Sequence, residues 1–119
     1  MQSHPKVNWV NYAALDTSRY KPICDKIAGG KASGIVSFGV VGGRDAGGKF
    51  IDALQMIYRL VNIGDAKSLA CHPATTTHRQ LDADELRSAG VSEDLVRISV
   101  GIENIDDIIA DVDQALAGL

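Results

Sequence analysis

The feature that most constrains this chain is the exchange of two apolar periodicities along it. Short β-type runs bounded by glycine or proline alternate with stretches whose apolar residues lie three and four apart. VNWVNY at 7–12 follows Pro5, is rich in β-formers and predicts a first strand. A helix is expected from Asp16 or Thr17, as N-cap, to Gly29 and Gly30, with Tyr20, Ile23, Cys24 and Ile27 on one face. GIVSFGVV at 34–41 is nearly continuous in apolar residues and predicts a well-buried strand. The glycine-dense GGRDAGG at 42–48 reads as a turn or flexible connector, and the spacing of Phe50, Leu54, Ile57 and Val61 predicts the main core-packing helix over 49–61. KSLAC predicts a strand stopped by Pro73, Asp82 and Glu85 form a capping-box signature for a short helix closed by Gly90, and LVRISVGI at 95–102 predicts a strand. Last, Asn104 caps a helix whose stripe of Ile105, Ile108, Ile109, Val112 and Leu116 faces a sheet. Its acids, Asp106, Asp107, Asp111 and Asp113, read as a solvated face.

The strand–helix order is compatible with a parallel doubly wound sheet, but the connections are uneven and no strand leads into a phosphate-binding glycine turn. Pattern alone therefore gives an α/β or α+β layer, with helices packed on a sheet of about four strands. With 119 residues, 45% apolar and 23% charged, the chain fits one soluble domain, 1–119, with a core of its own. Fifteen acids against 12 scattered bases leave no basic stripe for a phosphate backbone, and no apolar run is long enough to span a bilayer, so neither nucleic acid nor membrane is an expected partner. Cys24 and Cys71 lie far apart, outside any CxxC spacing, and read as free thiols in a reduced compartment. MQSHPKVNWV shows no secretion signal, and a cytoplasmic setting is expected.

The densest group of potential ligands is CHPATTTH at 71–78. A structural zinc site needs four converging ligands, whereas only Cys71, His72 and His78 are present, and neighbours in an extended strand point to opposite faces. A cysteine nucleophile would need an orienting group and an electropositive pocket that the sequence does not display. A core thiol with two hydrogen-bonding loop histidines is the simpler reading. GGRDAGGKF departs from the phosphate loop GxxxxGK[ST], since Phe50 follows Lys49. Arg97, between Val96 and Ile98 in an apolar strand, is costly unless partnered. Either it pairs with an internal acid, or it receives an anionic ligand through bidentate hydrogen bonds.

VNIGDAKSLACHPATTTHRQL and VRISVGIENIDDIIADVDQAL together resemble the carboxy-terminal portion of the pyridoxal-phosphate-dependent enzymes of Cys/Met metabolism. This fold type I group includes cystathionine γ-synthase, methionine γ-lyase and O-acetylhomoserine sulfhydrylase. QSHPKVNWVNY and GGKASGIVSFGV fall in the same order, so the resemblance covers nearly the whole chain, and NIGDAKSL, with asparagine ahead of the IGD step, looks most like the sulfhydrylases. The implied fold is the small α+β carboxy-terminal domain, a mostly antiparallel sheet of about four strands with helices on one side.

The resemblance also implies roles. Arg97 would grip the substrate α-carboxylate, Asn62 and the backbone of Ile63 would contact it, and Thr77 would shape the same pocket, with His72 and His78 bracing the loop. The family's catalytic lysine lies in a Ser-x-Thr-Lys setting that Lys6, Lys21, Lys26, Lys31, Lys49 and Lys67 all lack, so no catalytic residue is expected here. Pyridoxal phosphate belongs to the full-length parent, held by its own large domain, and none is expected on this chain alone. The implied parent is a homotetramer that replaces the acetyl group of O-acetylhomoserine with sulfide. A γ-lyase or cystathionine synthase is the neighbouring alternative, and a stand-alone amino-acid-binding or structural domain is one of another class.

Overall fold

The computed structural model describes residues 1–119, the side chain of residue 83 excepted. Its elements in chain order are β1 (Val7–Asn11), α1 (Lys21–Ala28), β2 (Ile35–Val40), α2 (Gly43–Ala53), β3 (Tyr58–Arg59), β4 (Leu69–Cys71), a 3-10 turn (Pro73–Thr75), α3 (Ala83–Ser88), β5 (Leu95–Ser99) and α4 (Ile105–Ala117). The strands form one sheet in the order β1-β2-β5-β4-β3, antiparallel except for the β3–β4 pair. This is the α+β layer expected, with one strand more than the sequence pattern suggested.

Strand periodicity divides the sheet into two faces. Phe38 of β2, Val96 and Ile98 of β5 and Ala70 of β4 form one face and pack on Phe50 and Ile51 of α2 and on Ile108, Val112 and Leu116 of α4. Phe38 and Phe50 meet edge to face at 5.5 Å. Burial of each large side chain in this layer contributes about 1.5–3 kcal/mol. Arg97, Cys71 and Ser37 have the opposite parity and point to the other face.

Two of the expected helices are displaced, each for a physical reason. α1 begins at Lys21, not near Asp16, because Pro22 occupies its first turn and has no N–H to continue a helical ladder from upstream. Only Cys24 of its expected stripe is buried; Ile23 and Ile27 are 57% and 76% exposed. The glycine-rich 43–48 segment is the first half of α2, not a connector. Gly47 is buried there against His72, whose ring leaves no room for a side chain. α2 then stops at Ala53, although the apolar spacing continues to Val61.

Asp111 of α4 ends that helix, and its assignment to a solvated face is corrected. It is 6% exposed, and its carboxylate accepts the backbone N–H groups of Gln55 (2.8 Å), Met56 (3.0 Å) and Ile57 (2.8 Å). Three donors that would have extended α2 thus turn toward α4, and Tyr58–Arg59 leaves as the parallel edge strand. Burial works to raise the Asp111 carboxyl pKa, but these bonds, with the Gln114 amide, hold it below the ordinary carboxylate value. The remaining caps follow the sequence: Asp82 and Glu85 close a reciprocal capping box on α3, and Asn104 accepts the Asp106 N–H at the start of α4.

Candidate functional site: the open face of the central strand

β5 is the middle strand, and its central residue is Arg97. Val96 and Ile98, fully buried on the helical side, fix the strand and send Arg97 to the face without α2 and α4. Directly paired residues in antiparallel strands share a face. Asn11 of β1, Ser37 of β2, Arg97 of β5 and Cys71 of β4 are therefore aligned in one row across four strands. Cys71 is 3% exposed; burial raises its thiol pKa, and the neighbouring guanidinium opposes that shift only in part. It is a packed thiol rather than an activated one.

Among the described residues no acid forms an ion pair with Arg97, the internal partner that the sequence left open. The ion pairs among the described residues are Lys21–Asp25, Arg59–Asp52 and Arg87–Asp84. Arg97 makes one long bond, from Nη2 to the carbonyl of Asn62 at 3.4 Å, and its Nε is buried without an acceptor. A buried donor in this state costs about 1–3 kcal/mol until something accepts from it. A planar anion such as a carboxylate matches the unused edge of the guanidinium fork.

The segment between β3 and β4 reaches the guanidinium through Asn62. Asn62 brings its carbonyl to Arg97, while its Oδ1 accepts the Ile63 N–H at 2.9 Å. Ile63 is 55% exposed, and Gly64 next to it turns the chain at φ +75°. The Gly64 N–H donates to Ser99 Oγ at 3.2 Å, and Ile102 N–H donates to the Ala66 carbonyl at 2.9 Å. At the base, the Glu103 carboxylate accepts both the N–H (2.6 Å) and the hydroxyl (2.9 Å) of Ser68. Those bonds, the backbone N–H first, hold the Glu103 carboxyl below its ordinary pKa. Ser99, Ser68 and Glu103 were not singled out from the sequence. The available signal was position, since Ser99 lies two residues from Arg97 in a strand and so on its face.

CHPATTTH splits into a buried half and an exposed half. His72 is fully buried, with Nε2 2.8 Å from the Glu93 carbonyl and Nδ1 3.0 Å from Thr75 Oγ1. Burial lowers its pKa more than the Glu93 bond raises it, so the ring is neutral, with Nε2–H donating to Glu93 and Nδ1 accepting from Thr75. Thr76 Oγ1 donates to the His72 carbonyl at 2.9 Å. Thr77 and His78 form an exposed pair, Oγ1 to Nδ1 at 2.8 Å, beside a cavity of about 450 Å³ lined by residues 76–81. The structure brings Arg97 and Asn62 together with Ile63 beside them; no described hydrogen bond joins Thr77 to that group.

Among the described residues no three His, Cys, Asp or Glu side chains converge as metal ligands. The fit to pyridoxal phosphate is also poor. Lys21 is engaged with Asp25, Lys67 lies 4.9 Å over the Tyr58 ring, and no lysine lines the described cavities bordered by Val10 and Val36, by Asn8 and Asp94, by Asn11 and Tyr20, or by Thr76 and Leu81. Arg97 suits a carboxylate, and no described hydrogen bond brings a lysine to it.

Residues 1–117 match the model of the Cys/Met metabolism PLP-dependent enzymes. The chain belongs to this family. An O-acetyl-L-homoserine sulfhydrylase from Leptospira meyeri is 49% identical over 120 residues, which cover 100% of this chain and 27% of that protein. An L-methionine gamma-lyase from Pseudomonas deceptionensis is 39% identical, covering 100% of this chain and 30% of the other. A solved structure from Campylobacter jejuni, assigned as an O-acetylhomoserine (thiol)-lyase and containing N′-pyridoxyl-lysine-5′-monophosphate, superposes with a TM-score of 0.86 at 40% identity. That match covers 97% of this chain and 27% of the other. This member of the Cys/Met metabolism family thus spans about a quarter of the length of such relatives. None of its helices is long and apolar enough to cross a membrane among the described residues.

Proposed function

We propose that this chain is the substrate-carboxylate domain of an O-acetylhomoserine sulfhydrylase, in which O-acetylhomoserine and sulfide become homocysteine and acetate. The observation that carries the reading is Arg97, a guanidinium on the central strand with a buried, unaccepted Nε and no ion pair among the described residues. Its two-toothed edge binds the α-carboxylate, Asn62 and the Ile63 backbone border the same spot, and Thr77 helps shape the same pocket. His72 and His78 brace the loop that carries Thr77. Fixing the carboxylate restricts the amino acid to one orientation, and orientation is the share of catalysis these residues carry. The cofactor and the lysine that binds it belong to a larger domain of the parent, a cytoplasmic homotetramer.

A γ-lyase reading has support in the methionine gamma-lyase relative at 39% identity. Carboxylate recognition is common to both reactions, so Arg97 keeps its role in either.

Titrating the 119-residue chain with O-acetylhomoserine and with methionine, followed by NMR, tests the proposal. Shifts at Arg97, Asn62 and Ile63 that vanish in Arg97→Ala are expected. No response at any of the three up to tens of millimolar ligand would sink it.

A further inference from the structure

The segment that carries Asn62 and Ile63 lies outside the sheet ladder, between the end of β3 and the start of β4. Something must set its distance from Arg97, because the direct link, 3.4 Å from Nη2 to the Asn62 carbonyl, is too long to do so firmly. Ser99 is placed for the task. It is two residues from Arg97 on β5, on the same face, 3% exposed, and its Oγ accepts the N–H of Gly64, two residues beyond Asn62. One strand therefore presents both the guanidinium and the hydroxyl that holds the opposing loop. At Gly64 the chain has φ +75°, so the turn that aims Asn62 back toward Arg97 and the donor that meets Ser99 are the same residue. Glu103 and Ser68 secure the other end of the loop, beyond Ala66.

We infer that Ser99 is a positioning residue for the carboxylate site: it does not touch the substrate, but its hydroxyl holds the 62–64 turn at the distance from Arg97 that a carboxylate needs. The inference rests on the carboxylate reading above for its functional half, whereas its structural half can be read without ligand.

The test compares the 119-residue chain with Ser99→Ala, Ser99→Thr and Ser99→Cys. Threonine keeps the hydroxyl, and cysteine keeps the volume with a weaker acceptor. Ser99→Ala is expected to speed amide exchange at Gly64 while Ile98 stays protected, to shift the Arg97 Nε–H resonance, and to weaken methionine binding about five- to tenfold. Ser99→Thr restores all three, and Ser99→Cys falls between. Unchanged Gly64 exchange and Arg97 resonance in Ser99→Ala overturn the inference. So does faster exchange with unaltered affinity, because the loop is then held but not for the site. If the wild-type chain binds no amino acid, the carboxylate reading fails by itself, and the Gly64 and Arg97 signals still decide whether Ser99 sets the turn.

Discussion

Gly47 packs so closely against His72 that a methyl group at position 47 would overlap Nε2, Cδ2 and Cε1 of the imidazole. The glycine is there for contact between α2 and the β4 exit, not for chain freedom. Gly47→Ala is expected to destabilise the protein by about 2 kcal/mol through overpacking. Gly48→Ala, whose new carbon would meet nothing closer than Thr75 Cγ2 at 3.9 Å, should gain up to about 1 kcal/mol of helix propensity. Denaturant melts of the two variants, one position apart, check the contrast.

His72 should give stability a mild acid dependence. Its folded pKa is lowered, so the unfolded chain takes up a proton at about pH 6.5 while the folded ring stays neutral. The contribution is complete above that pH and is lost as pH falls through the folded value. Unfolding midpoints measured from pH 7.5 to 5 should decline, and His72→Asn should lower stability throughout while flattening that decline.

Asp111 has a depressed carboxyl pKa as well, and its contribution, present above about pH 3.9, is lost as pH falls further. Asp111→Ala leaves three backbone donors at Gln55, Met56 and Ile57 without their acceptor, and a loss of about 3 kcal/mol or more is expected. Asp111→Asn, which keeps one carbonyl oxygen, should be intermediate. Thermal or denaturant unfolding at pH 7 gives the order.

Arg97 should separate stability from binding. With no ion pair to lose and an unaccepted Nε to remove, Arg97→Met is expected to leave stability unchanged or raise it by about 1 kcal/mol. The same variant should abolish the response to amino acids in an NMR titration. A loss above about 2 kcal/mol in chemical denaturation would instead mark Arg97 as a structural residue.

Much of this was legible because burial on one face imposes strict alternation. β5 was readable from Val96 and Ile98 alternating around Arg97, which stood out as a cation inside that pattern, whereas β2 was readable as a nearly continuous apolar run between glycines. The failures came where a tertiary contact overrules local preference. Glycine density at 43–48 reads as a loop until His72 is known to lie against Gly47, and the helical spacing to Val61 is broken by a carboxylate more than fifty residues away. The site was legible in part for the same reason. Arg97 advertises its cost, whereas the roles of Ser99 and Glu103 depend on which loop folds over them.

The row formed by Asn11, Ser37, Arg97 and Cys71 draws its members from four strands whose order in space differs from their order in the chain. Arg97 therefore owes its neighbours on the open face to strands drawn from separate parts of the chain. A cut between β4 and β5 would abolish recognition unless the two pieces reassociated.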